Sequence, residues 1–218
     1  MNNEDVNVYA ACDQAIHAMN VANVRDFGKL KLAKWDEIKI IRTVTAVYRS
    51  SVKRARKRYY EVAFEAYVLG GMMCGEDPKT AHIMAEKAID EKFVDSILEQ
   101  SDFLTLYRFN SEAERKAYRL AEALEVAENR NLEIDLALKA WSKQLGQYAI
   151  NFTDYAMIQA FQDCGVEFVR WVSVPDERRC HECRALDGQE FRINELPVKP
   201  HLNCRCHWVP VFRIKGKD

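Results

Sequence analysis

The sequence predicts an α+β protein. A mainly helical N-terminal region with one long helix is expected to precede a small α+β domain that contains a metal-binding cluster of cysteines and histidine. Three observations support this prediction. Apolar residues recur every seven positions from Ile38 to Leu69, and the spacing changes from helical to strand-like after Gly165. Four of the seven cysteines fall in the segment 180–206.

Length and composition are typical of a soluble globular protein. The 218 residues suffice for one large or two small domains, and 48% are hydrophobic while 30% are charged. The formal charge of -1 gives no general attraction to nucleic acid or anionic membrane. The polar start lacks a secretory pattern, and no run approaches the roughly 20 apolar residues that span a bilayer. We therefore expect no membrane association and folding in a cytoplasm, where clustered cysteines bind metal more often than they form disulfides.

The first part of the chain is predicted to be helical throughout. Residues 6–32 predict one or two short helices, with Gly28 as a break. The seven-residue spacing predicts one helix over 38–69, which would extend about 48 Å at 1.5 Å per residue. The pair Gly70-Gly71 is expected to end it, because glycine takes the left-handed C-cap conformation at little cost.

Two capping patterns predict the next helices. Asp77-Pro78 combines an N-cap residue with a proline favoured in the first turn, and predicts a helix to about residue 98. Ser111 and Glu114 form a capping-box pattern, which predicts a helix from Ser111 to about residue 129.

The last third of the chain changes from helices to strands. Helices are predicted at 132–146 and 153–161. Runs of β-branched and aromatic residues then predict short strands at 166–174, 189–193 and 206–212. We place the domain boundary between the two helices, giving a helical arm over 1–148 and a C-terminal domain over 149–218.

Two groups of soft ligands in the C-terminal domain predict one zinc site. The C-x₂-C of Cys180 and Cys183 aims two thiolates at one point. The second group offers His201 with either Cys204 or Cys206, which are two apart on a predicted strand and face the same side. Both cysteines could instead supply sulfur, leaving His201 outside the ligand set. We predict structural Zn²⁺ bound by the first pair, His201 and one of the last two cysteines.

Three alternatives to a closed zinc site stay open. The cysteines could form two disulfides if the protein works outside a cell, or could be simple buried thiols. The metal could also be catalytic, with Glu177, Glu182 or Asp187 as a nearby base. Four or five soft ligands within reach favour a closed, non-catalytic site.

The long helix also carries a basic run that could contact DNA phosphates or an acidic protein face. The alternative is a solvated helix face whose long side chains cover apolar neighbours. The run consists of Arg49, Lys53, Arg54, Arg56, Lys57 and Arg58.

The C-terminal motifs follow an order found in a known family. Trp171-Val172-x-x-Pro175-Asp176 precedes the C-x₂-C, which is followed by Leu186-Asp187-Gly188 and then by Pro200-His201-x-Asn203-Cys204-Arg205-Cys206. This arrangement resembles the phage Mu F-like family, and a weaker likeness to phage minor capsid proteins begins at about residue 105.

The resemblance implies a minor head, or head morphogenesis, protein of a tailed phage or prophage, and not an enzyme. It implies synthesis in the bacterial cytoplasm, a place in the procapsid and virion, and a role in assembly or genome delivery. The implied partners are the portal protein, genomic double-stranded DNA, capsid or scaffolding protein, and further copies at the vertex. A DNA-binding zinc module and a metal-dependent hydrolase are the alternative functions.

Overall fold

The computed structural model describes residues 7–33, 37–99, 109–174 and 180–213. These residues confirm the predicted α+β class, with a long helix and a small C-terminal region of strands. The helices are α1 (Ala10–Leu32), α2 (Glu37–Met73), α3 (Pro78–Ala88), α4 (Glu91–Glu99), α5 (Phe109–Val126), α6 (Arg130–Asp163) and α7 (His181–Leu186). The strands are β1 (Phe168–Val172), β2 (Glu190–Arg192) and β3 (His207–Val211).

The predicted long helix is confirmed as α2, but its predicted end at Gly70-Gly71 is wrong. The helix continues to Met73, and the chain turns at Gly75, where φ is +98°. A Cβ on Gly70 would lie 2.8 Å from the Ala160 Cβ. The glycine therefore allows α2 and α6 to approach closely, and it does not terminate the helix.

The shorter helices differ from the prediction at their breaks. The helix α1 runs through Gly28 without interruption. The predicted Asp77 cap is confirmed, since its carboxylate accepts the Lys79 N–H at 3.0 Å. The single helix predicted after it is wrong: the chain breaks after α3, and the Asp90 carboxylate accepts the Phe93 N–H at 2.8 Å at the start of α4. Local capping thus outweighs the continuous apolar pattern.

The capping-box prediction is also wrong, because α5 begins at Phe109 and Ser111 lies inside the helix. The two helices predicted at 132–146 and 153–161 are one continuous helix, α6, of 34 residues. Residues 145–153 are all buried, so this part of α6 shows no polar face by which its helical period could be recognised. The predicted boundary falls inside α6, and the division into 1–148 and 149–218 stays a prediction.

The three predicted strands are confirmed as one antiparallel sheet in the order β2-β1-β3. Trp171 of β1 pairs with Trp208 of β3, and Val169 pairs with Phe191 of β2. The helix α7 and the loop before β3 connect these strands and carry the cysteines and His201. Among the described helices, none combines the length and apolar character needed to cross a bilayer.

Candidate metal centre

The first ligand pair lies at the start of α7, a short helix that the sequence did not predict. Cys180 is its N-cap, and the Cys180 sulfur accepts the Cys183 N–H at 3.3 Å. Residues three apart share one side of a helical turn, so the two thiols are neighbours. Cys183 is buried, whereas Cys180 is half-buried.

The second ligand group lies in the loop between β2 and β3. Asn203 turns this loop with φ of +57°, a conformation that asparagine tolerates better than most residues. Gln147 of α6 accepts the Asn203 N–H. Cys204 and Cys206 are buried on either side of Arg205, and the loop thereby faces the first pair.

The distances between the two groups suit a tetrahedral zinc ion. The Cys183 sulfur lies 3.5 Å from His201 Nε2 and 3.5 Å from the Cys204 sulfur. Tetrahedral geometry with ordinary Zn–S and Zn–N bonds separates sulfur from nitrogen by about 3.6 Å and two sulfurs by about 3.8 Å. These three side chains already lie near the corners of one coordination sphere.

The five predicted ligands form two overlapping groups that share Cys183. Cys180, Cys183 and His201 form one group, and Cys183, Cys204 and Cys206 form the other. Within each group the ligand atoms lie within 4.8 Å of one another, so either group could hold a metal ion. The choice of the fourth ligand between Cys204 and Cys206 stays a prediction.

The thiols of this cluster differ in their acidity. Burial raises the pKa of Cys183 to about 12. The hydrogen bond between Cys204 and Cys206 raises the pKa of Cys204 and lowers that of Cys206 to about 6. Cys206 is therefore the more acidic of these two thiols, and the thiolate is the form in which sulfur binds metal.

The other histidines near the cluster lie outside both groups. His207 is buried in β3, where burial lowers its pKa to about 4 and keeps the ring neutral. His181 is exposed at the start of α7. All seven cysteines are free thiols, and the 3.5 Å between the sulfurs of Cys183 and Cys204 exceeds the roughly 2.05 Å of a disulfide.

The carboxylates proposed as catalytic bases occupy different positions. Asp187 accepts the Ser173 N–H at 2.8 Å and thereby fixes the turn before β2. Glu182 Oε2 lies 3.8 Å from the Cys180 sulfur. Glu177 lies outside the described residues. Of the two described carboxylates, Glu182 is therefore the one adjacent to the ligands.

The basic run on α2 is partly engaged within the molecule. Arg54 binds Asp26 of α1 at 2.8 Å, Arg56 binds Asp95 of α4 at 2.6 Å, and Arg58 binds Glu61 at 2.6 Å. The remaining three cations, Arg49, Lys53 and Lys57, are exposed. Arg54 and Arg56 thus join α2 to neighbouring helices, while Arg58 forms an exposed pair within α2 itself, which the sequence alone did not reveal.

The sequence also missed a group of buried polar residues behind the second ligand loop. Lys199 lies between the Tyr9 hydroxyl and the Asp154 carboxylate, 2.6 Å from each. These residues belong to the loop, to the N-terminus of α1 and to α6, so no short motif contains them. A lysine between Pro197 and Pro200 was the one local signal in the sequence.

Comparison with known protein families identifies the C-terminal segment. The family model described as Phage Mu protein F like protein matches residues 137–209. The matched third of the chain includes most of α6, all of β1 and β2, the first part of β3 and all five predicted ligands. No curated protein and no solved structure gave a significant match. The resemblance predicted from the sequence is confirmed: over this segment the chain is similar to the phage Mu F-like family.

Proposed function

We propose that this chain is a structural protein of a phage head that acts in head morphogenesis at the portal vertex or in genome delivery. The observation that carries the proposal is the Mu F-like match over 137–209. In this proposal the protein is not an enzyme, is made in the bacterial cytoplasm and is incorporated into the procapsid and virion. Its partners would be the portal protein, capsid or scaffolding protein, and further copies of itself.

The test of this role is location in the assembled particle. Co-expression with the portal protein of the same phage should give a complex that survives purification. Electron microscopy of procapsids and virions should then place the chain at the portal vertex. Absence of the chain from both immature and finished particles would overturn the proposal.

In the same proposal, Zn²⁺ has a structural role in the C-terminal region. Cys180, Cys183 and His201 would bind the ion together with Cys204 or Cys206, and ligation would fix loops that have little apolar core of their own. Elemental analysis of the reduced chain should find about one zinc per molecule. Replacing Cys204 and Cys206 separately by serine should show which one is needed for stoichiometric binding.

A second candidate function, DNA binding through α2, is supported by the exposed cations Arg49, Lys53 and Lys57, the first two of which lie beside a groove between α2 and α5. Arg49 and Lys53 line this groove, which has a volume of about 290 Å³. Binding through phosphates should weaken steeply with salt and be lost when Arg49, Lys53 and Lys57 are changed to glutamate. Unchanged affinity in this triple variant would exclude this face of α2 as the contact.

A further inference from the structure

A buried ionic network lies directly behind the second ligand loop. The Lys199 ammonium contacts the Tyr9 hydroxyl and Asp154 Oδ2, each at 2.6 Å, and donates to the Cys204 carbonyl at 3.2 Å. The Tyr9 hydroxyl lies 2.8 Å from Asp154 Oδ1 and 3.1 Å from the Cys206 carbonyl oxygen. Only 10% of the Lys199 side chain and 17% of the Asp154 side chain are exposed.

Such a network is stable only when all its members are present. Burial raises the pKa of Asp154, and the positive charge of Lys199 opposes that effect. A buried charge that loses its partner is strongly destabilising, whereas a paired and fully hydrogen-bonded one is tolerated. The three side chains therefore fix one another's positions.

The backbone of the ligand loop is attached to this network and to the helices beside it. The carbonyl of Cys204 accepts from Lys199, and the carbonyl of Cys206 can accept from Tyr9. Between them, the Arg205 side chain binds Asp13 of α1 at 2.5 Å. Two cysteines that could present sulfur to a metal on one side are thus held through their own carbonyl groups on the other.

We propose that Tyr9, Asp154 and Lys199 form a clasp that positions Cys204 and Cys206 for metal binding, so that the N-cap residue of α1 supports a metal centre located near the other end of the sequence. This inference rests on the zinc site of the proposed function. The clasp residues are positioning residues, because they contact the ligand residues and not the metal. Comparable outer groups in metalloproteins set affinity by holding the ligands in place.

The clasp is tested with Tyr9→Phe, which removes one hydroxyl and keeps the ring. Tyr59→Phe is the matched control, because Tyr59 is also fully buried and its hydroxyl donates to a backbone carbonyl, that of Leu145, at 3.0 Å. Zinc transfer from the reduced, zinc-loaded chain to a coloured chelator is timed for both variants and the wild type. We expect Tyr9→Phe to release zinc about tenfold faster, and Tyr59→Phe to release it at the wild-type rate.

The outcomes separate the clasp from the zinc site itself. Equal release rates in the two variants would overturn the clasp and leave the zinc site standing. A wild-type chain that binds no zinc would overturn the zinc site, and hydrogen exchange of the metal-free chains would then decide the clasp. Faster exchange in the segment 203–206 of Tyr9→Phe than of Tyr59→Phe would support it, and equal exchange would overturn it.

Discussion

Two parts of the molecule are stabilised in different ways. One is the helical body, formed by α1 to α6, and the other is the C-terminal region, formed by residues 166–213. The helical body contains a continuous set of stacked aromatic side chains: the rings of Tyr59 and Phe152 lie 4.8 Å apart, and those of Phe109 and Trp141 5.6 Å apart. The C-terminal region has strands of five, three and five residues and one compact aromatic group around Trp208.

This difference indicates which interactions keep each region folded. Apolar burial is nearly independent of metal and of ionic strength, so the helical body should keep its structure when either changes. A three-stranded sheet with strands this short buries little apolar surface by itself, so its stability needs packing against a helix or an added ligand. We infer that the C-terminal region depends on the Cys/His ligands and on its contacts to the helices. These contacts are polar at α1 and α6, and they are also apolar, because Val169, Trp171 and Trp208 belong to the same buried cluster as the helical core.

The largest loss of stability should come from a substitution in the aromatic core of the helical body. Trp141 is fully buried, and its indole N–H donates to the Ser51 hydroxyl at 2.8 Å. Trp141→Ala should lower the free energy of unfolding by about 3–5 kcal/mol, because it leaves a large cavity and removes the donor to the Ser51 hydroxyl, which keeps its own bond to Asn23. Urea denaturation followed by circular dichroism measures this loss. Leu136→Ala, at a side chain that is 52% exposed, is the control, and similar losses for both would contradict the assignment of the core.

The next effect should be restricted to the C-terminal region. Cys183→Ser removes the ligand shared by both groups and should abolish zinc binding. At free zinc a hundredfold above Kd, the wild type gains about 2.7 kcal/mol that the variant lacks. Hydrogen exchange should increase over 180–211 and at the start of α1, while α2 and α5 stay protected. Equal loss of protection throughout the helical body would show that the two regions do not differ in this way.

The packing of α2 on α6 can be tested with two glycine-to-alanine substitutions that should change the free energy of unfolding in opposite directions. A Cβ on Gly70 would lie 2.8 Å from the Ala160 Cβ and 3.3 Å from the Met157 carbonyl oxygen, so Gly70→Ala should destabilise by about 1–3 kcal/mol. Gly28 has no atom within 4 Å of an added Cβ, and Gly28→Ala should stabilise α1 by about 0.5–1 kcal/mol. Thermal denaturation at one pH compares them. Stabilisation by both changes would contradict the close crossing.

The smallest effect concerns the ion pairs that attach α1 to α2. Burial alone would raise the pKa of Asp26, but Lys29 and Arg54 dominate and hold it below its ordinary value. The resulting stability is present above the unfolded pKa near 3.9 and is lost as the pH falls through the lower, folded value. Asp26→Asn should therefore cost under about 1 kcal/mol at pH 6 and less at pH 2.5. Urea titrations at both pH values measure this, and an equal cost at both would exclude an ionic role.

Local patterns predicted most of the fold. The seven-residue spacing located α2, the Asp77-Pro78 pair located the start of α3, and β-branched runs located all three strands. Gly188, which follows Asp187 after α7, has φ of +77°, a conformation that glycine adopts more readily than other residues. The predictions failed where a residue's role depended on a distant partner. Gly70 was taken for a helix end because its contact with Ala160, ninety positions away, is invisible in a local pattern.

The residues of the candidate site likewise fall into those that local sequence patterns predicted and those that they did not. The residue types and their spacing are local properties of two short motifs, and these properties led to the five candidate ligands and to the Mu F-like resemblance. Tyr9, Asp154 and Lys199 carry no such motif, because each acts through a partner contributed by another element of the fold. The sequence by itself therefore determined the chemistry that the C-terminal region offers to a metal. Only the tertiary structure decided what supports that chemistry, because a buried charge is stable only where distant segments bring its partners within hydrogen-bonding distance.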